Sequence, residues 1–293
     1  MRRLLKWIGI TLGSVVVLAV IAYGVLYIIS EHMLRRTYAF APIPLQVPTD
    51  ADSVAKGKRL AKLYGCSEGC HGKGIEGDVM VDSPLVARVV APNLTSAVRR
   101  YSDPELAAII RTGVRPDGRS VFVMPSQALR LISDEELGDI LAYLRSVPAV
   151  DGPRLEGRVG PLVRLNIVTG SVKTTAQLVQ EAVPPPPASG EGAQRGRYLA
   201  STTCAGCHGT DLSGGHLYDG PPTPPPLQIV AAYSPEAFTE LMRNGIALGG
   251  RKLGIVMRDY VALGRMSVLT QAQIADLYSY LHELPVPPAM RQP

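Results

Sequence analysis

No charged side chain occurs anywhere from residue 7 to residue 29, an apolar block unlike the rest of the chain. As a helix it would be about 35 Å long, enough to cross a hydrocarbon core of roughly 30 Å. The pattern therefore predicts a transmembrane anchor within an N-terminal segment over 1–32. A cleaved signal peptide would have a shorter apolar core followed by small residues. Ile28-Ile29-Ser30-Glu31-His32-Met33 offers no such site, so an uncleaved anchor is the reading. Pro42, Pro44 and Pro48 then hold the backbone extended and predict a stalk over 33–48 that lifts the first domain off the membrane.

Past the stalk the apolar positions take a helical period. Val54, Leu60 and Leu63 line one side of a helix over 49–64, with Thr49 or Asp52 as its cap. A second helix starts at Ser102, where Glu105 three residues on completes a capping box, and ends before Gly113. A third starts at Ser133 with Glu136 in the same relation. Its Leu137, Ile140, Leu141 and Leu144 fall on one buried face, and Pro148 stops it.

This order recurs. Tyr101-Ser102, Arg111 and Gly113 match Tyr233-Ser234, Arg243 and Gly245 at one constant offset. Tyr143-Leu144 and Pro148 match Tyr280-Leu281 and Pro285, and Gly57 and Leu60 match Gly196 and Leu199. The last helix of the second set buries Ile274, Leu277, Tyr278 and Leu281. The repeat predicts two homologous units, over 49–149 and 191–287, with a tail at 288–293. Gly57 and Gly196 let the first helix of each unit approach the last one closely, beside Tyr143 and Tyr280. Residues 150–190 join the units as a Pro-rich linker. Val163, Leu165 and Ile167 alternate with polar residues as a short strand would, and the prolines at 184–187 are stiff.

Each unit carries one cysteine pair. Cys204-Ala205-Gly206-Cys207-His208 has the C-x-x-C-H form by which two thiols add across the vinyl groups of haem c and the imidazole ligates iron. Cys66-Ser67-Glu68-Gly69-Cys70-His71 has one extra residue between its thiols, predicting a loop at 67–69 that bulges outward with both thiols still bonded to haem. A structural zinc site needs four ligands and each pair has only its own histidine as an obvious local third, while a redox dithiol or a disulfide leaves the histidines without a role. With aromatics at only 5%, two small cores filled by two covalent haem c groups are expected. The net charge of +5 comes from Lys and Arg spread along the chain, which argues against a nucleic-acid partner.

Taken together, the helices, the C-x-x-C-H runs and the Met-bearing loops resemble class I cytochrome c domains. The whole, over roughly 50–286, resembles the membrane-anchored bacterial dihaem cytochromes c. The resemblance implies an all-α fold, an N-terminal transmembrane helix followed by two tandem domains, with His71 and His208 as proximal iron ligands. It implies a distal methionine in the loop before each last helix. In Phe122-Val123-Met124-Pro125 this is Met124, preferred to Met80, which follows the cysteines too soon. In the second unit the count from Gly245 points to Met257, although Arg258 stands where the family has Pro, and Met266 is the rival. His216 and His282 are lesser candidates, read as surface residues. Haem attachment of this kind takes place outside the bacterial cytoplasmic membrane, so the expected topology is a cytoplasmic N-terminus with periplasmic haem domains.

An iron with two strong protein ligands passes single electrons and binds no substrate. The expectation is an electron carrier, not an enzyme, exchanging electrons with other redox proteins or serving as the haem subunit of a respiratory, photosynthetic or dehydrogenase complex. The alternative is a dihaem peroxidase or haem sensor with one five-coordinate iron, which would recruit His216 or Asp219.

Overall fold

The computed structural model describes residues 2–152, 155–215 and 223–285. Helix α1 (Arg2–Leu34) is long and apolar enough to span a bilayer, and most of its apolar stretch is exposed, with only its C-terminal end packing on the domain. Residues 37–48 do not stand free as a stalk. Tyr38 N–H donates to Gly118, Ile43 N–H donates to Pro104, and Ile43, Leu45 and Val47 pack against the first unit's core.

The first unit runs α2 (Ala51–Leu63), β1 (Asp78–Asp82), β2 (Ala87–Ala91), α3 (Leu94–Arg100), α4 (Asp103–Thr112), α5 (Ser126–Leu129) and α6 (Asp134–Ser146). Asp50 caps α2 by accepting from Ser53 N–H at 2.9 Å, between the two caps expected from sequence. At the start of α4 the Glu105 carboxylate accepts from the Ser102 N–H and hydroxyl, both at 2.8 Å, and Gly113 ends the helix at φ 68°.

Residues 150–190 depart from the expected linker. They form β3 (Arg158–Val159), which extends the sheet to the antiparallel order β1-β2-β3, then α7 (Pro161–Val168) and α8 (Thr175–Gln180). The stretch expected to be a strand is the helix α7. Pro161 at its first turn suits a helix start, and Val163 and Ile167, four residues apart, share a buried face with Ala87, Val89 and the end of α1. Even the proline run is engaged, since Arg197 donates to the carbonyls of Pro185 and Pro186.

The second unit runs α9 (Glu191–Leu199), α10 (Ala205–His208), α11 (Pro235–Asn244), the β4–β5 hairpin (Ile246–Ala247, Arg251–Lys252) and α12 (Gln271–His282). In both units the first helix crosses the last. A Cβ on Gly57 would lie 1.9 Å from the Asp139 carbonyl oxygen, and one on Gly196 1.9 Å from that of Asp276. Tyr143 and Tyr280 flank these crossings as expected. The two expected small cores are in fact one continuous apolar core, which runs from Leu60 and Leu141 in the first unit to Leu199 and Leu277 in the second.

Candidate functional site

The second attachment site grows out of α9 through a π-helical segment, Ala200–Cys204. Hydroxyls drive it: Ser201, Thr202 and Thr203 each donate to a backbone carbonyl three or four residues back, loosening the turn that presents Cys204. One turn of α10 then delivers Cys207 and His208, and Gly209 leaves the helix at φ 82°.

The first site absorbs its extra residue locally. Cys66 and Ser67 both donate to the Ala61 carbonyl, and Gly65 turns at φ 78°. The outward bulge is confined to Glu68, which takes a left-handed conformation at φ 51° and pairs with Lys62 at 2.8 Å. Ser67 and Gly69 stay buried, contrary to the expected three-residue bulge.

The two histidines are held alike. His71 Nδ1 lies 2.8 Å from the Pro92 carbonyl and His208 Nδ1 2.7 Å from that of Pro225. A carbonyl can only accept, so Nδ1 carries the proton and Nε2 is left as the ligating nitrogen. Burial holds both imidazoles below the usual histidine range, hence neutral at pH 7, against the opposing pull of these carbonyls. Pro92 and Pro225 are not among the residues expected from sequence. A signal for them exists all the same, as Pro92-Asn93-Leu94 and Pro225-Pro226-Leu227 recur behind the two motifs.

All four cysteines are half-buried and none is in a disulfide. Burial raises each thiol, Cys66 up to about 12, so they are neutral and poorly nucleophilic. One cation opposes this at every one of them: Arg265, from the second unit. Its Nε donates to the Leu63 carbonyl of the first unit at 2.9 Å. Reciprocally, Gly206 of the second attachment turn packs on Pro125 of the first unit, and Gln127 reaches its carbonyl. Each attachment turn thus lies against the segment that follows the other unit's methionine loop. Tyr64 and Tyr198, one from each unit, both donate to Glu136, at 2.8 and 2.5 Å. Gly206 and Pro125 belong to the two motifs, but Arg265, Gln127, Tyr64, Tyr198 and Glu136 do not stand out in the sequence as part of a site.

Met124 is half-buried against the core, and its carbonyl accepts from Thr175 Oγ1 of α8 at 3.1 Å. It follows Val121, whose N–H bonds back to Gly113, by three residues. In the second unit Leu253 bonds back to Gly245 in the same way, and Met257 follows by four. Met266 instead stands four residues before its helix cap, as Leu129 does, and like Leu129 it is core, 1% exposed. Met80 lies exposed on edge strand β1. His282 is exposed at the end of α12, its ring centroid 5.0 Å from that of Tyr278. His216 and Asp219 lie outside the described residues.

The donor set suits haem c and not a four-ligand metal ion. Among the described residues no three His, Cys, Asp or Glu side chains group together as such a site requires. Each unit instead offers two thiols, one neutral imidazole with a defined free nitrogen, and a candidate thioether.

The chain is similar to known redox proteins. It is 24% identical over 177 residues to the "Fructose dehydrogenase cytochrome subunit" of Gluconobacter japonicus, covering 56% of this chain and 36% of that one. It is 25% identical over 195 residues to the "Alcohol dehydrogenase (quinone), cytochrome c subunit" of Gluconacetobacter polyoxogenes and of Komagataeibacter europaeus, covering 60% of this chain and 42% of each. The chain thus spans about two fifths of the length of these curated relatives. The family described as "Cytochrome c" matches twice, over 54–148 and 193–285, and these are the two units that carry the paired thiols and the carbonyl-bound histidines. The chain therefore belongs to the cytochrome c family, with two cytochrome c domains in tandem.

Proposed function

We propose that this protein is a membrane-tethered dihaem cytochrome c that relays single electrons on the periplasmic side, as the haem subunit of a membrane dehydrogenase and not itself an enzyme. The observation that carries this is the reciprocal packing of the two attachment turns, which gathers all four thiols around Arg265. Two haems attached there would be neighbours, as a relay requires. The names of the relatives support the dehydrogenase assignment.

Bound haem supplies one-electron chemistry. The chain's part is to hold it: Cys66 and Cys70, and Cys204 and Cys207, as thioethers, His71 and His208 as proximal ligands, Met124 and Met257 as distal ligands. The Pro92 and Pro225 carbonyls keep each imidazole in its ligating tautomer. The matched hairpin spacing supports Met257, and the core role of Met266 argues against it as a ligand. The tether reading is supported by α1 and by Arg164, a buried cation whose partners Ser30 and Glu31 lie on α1. A mature chain cut after α1 would leave that charge unpaired.

Mass spectrometry of the denatured chain should give the polypeptide plus two covalent haems. The reduced protein should be low-spin at both and unchanged by CO, while Met257→Ala should open one site to CO. A single haem would overturn the two-haem relay, and CO binding to the unaltered protein would favour a five-coordinate sensor or peroxidase.

A further inference from the structure

Helix α7 has two faces of different character. Inward, Val163 and Ile167 pack with Met33 and Leu34 of α1, and Arg164 donates to Ser30 Oγ at 2.9 Å and to Glu31 at 3.1 Å while stacking 4.0 Å over the Tyr27 ring. Outward, Leu162 and Leu165 are 50% and 47% exposed. Beside them is the β1–β2 connection, whose Leu85 carbonyl accepts from Leu162 N–H at 3.0 Å and whose Val86 carbonyl accepts from Gly160 N–H at 2.8 Å. Leu85 is 62% exposed and Val86 37%. Four large apolar side chains therefore form one exposed patch on a basic, water-facing domain.

Its depth is set by what Arg164 touches. Tyr27, Ser30 and Glu31 straddle Ile29, where the uncharged run of α1 ends. Exposed Tyr23 and Tyr27 mark that end and Trp7 marks the other, the positions favoured by aromatic side chains at bilayer boundaries. Leu162 and Leu165 flank Arg164 in sequence and so stand within about a helical turn of that boundary.

We infer that the outer face of α7 and the β1–β2 tip form an interfacial seat that dips into the acyl–headgroup boundary beside α1 and fixes how the haem domains sit on the membrane. The occupant is lipid, because α7 packs against the C-terminal end of a helix long and apolar enough to cross a bilayer, which on the tether reading holds this patch beside the membrane. Apolar faces of this kind insert about 5–10 Å. The inference rests on the tether reading above.

The test uses the full holoprotein in phosphatidylcholine–phosphatidylglycerol vesicles, with a nitroxide on Leu165→Cys or Leu85→Cys and, as control, on Ile229→Cys, an exposed site in the second domain. The unsubstituted chain shows the background labelling. At 165 and 85 collisions with oxygen should dominate over those with a water-soluble nickel chelate, and at 229 the reverse. Chelate access at 165 equal to that at 229 would overturn the seat, as would spin–spin broadening from a second copy. An alkaline wash separates the two readings. A chain released from the vesicles ends both, whereas a retained chain with an aqueous label at 165 ends the seat alone.

Discussion

The Gly57 and Gly196 crossings leave no room for a methyl group, since a Cβ at either position would sit 1.9 Å from a backbone carbonyl oxygen that cannot move independently of its helix. Gly196→Ala should therefore separate α9 from α12 and cost about 1–3 kcal/mol, the usual range for overpacking. A thermal unfolding curve of the holoprotein checks this, and an unchanged midpoint would refute it. Both glycines are legible from the repeat, as are the cysteines and histidines, because each is a requirement of one residue type at one spacing. The Pro92 and Pro225 carbonyls are not, although they set the tautomer of both histidines. A backbone carbonyl is present at every position, so the Pro-x-Leu that recurs behind the two motifs marks the place without showing that a carbonyl there meets the imidazole.

At the scale of elements, α7 is where local pattern and tertiary context disagree. The alternation of Val163, Leu165 and Ile167 suits a strand, yet a helix start at Pro161 places Val163 and Ile167 on the sheet and Arg164 against α1. Packing outweighs so short a pattern. Arg164 has a side chain 7% exposed against 26% for Glu31. Glu31→Gln should cost less than the roughly 3–5 kcal/mol of a fully buried broken pair, because the site is partly hydrated and Tyr27 and Ser30 remain. The readout is faster proteolytic cutting between residues 35 and 50, where the chain leaves α1. Cutting at the unaltered rate would show that the pair does not hold α1 to the domain.

At the scale of the whole molecule, the units are docked, with each attachment turn against the other's methionine-loop flank and Arg265 acting on all four thiols. A cation near an iron favours the reduced state, which carries one positive charge fewer. Arg265→Gln should lower both midpoint potentials, each by the equivalent of on the order of 1 kcal/mol at an effective dielectric of about 20. Arg265→Lys should restore most of the loss. A fall at one haem alone would contradict a shared position, and no fall at either would leave Arg265 a docking residue only.

The sequence by itself determined the covalent chemistry and the repeat: the apolar anchor block, two C-x-x-C-H-type motifs, the capped helices and the glycines at their crossings. These depend on residue type and on spacings of a few positions, which short-range physics reads directly. Only the tertiary structure decided that the expected linker carries two short helices and a strand, that the expected stalk lies along the first domain, and that one arginine, Arg265, from one domain serves both attachment sites. Those outcomes depend on contacts between residues far apart in the chain: Arg265 with Leu63, Arg164 with Glu31, Gly206 with Pro125. The two motifs are therefore legible as cofactor sites from sequence alone, while their arrangement as a pair is a property of the fold.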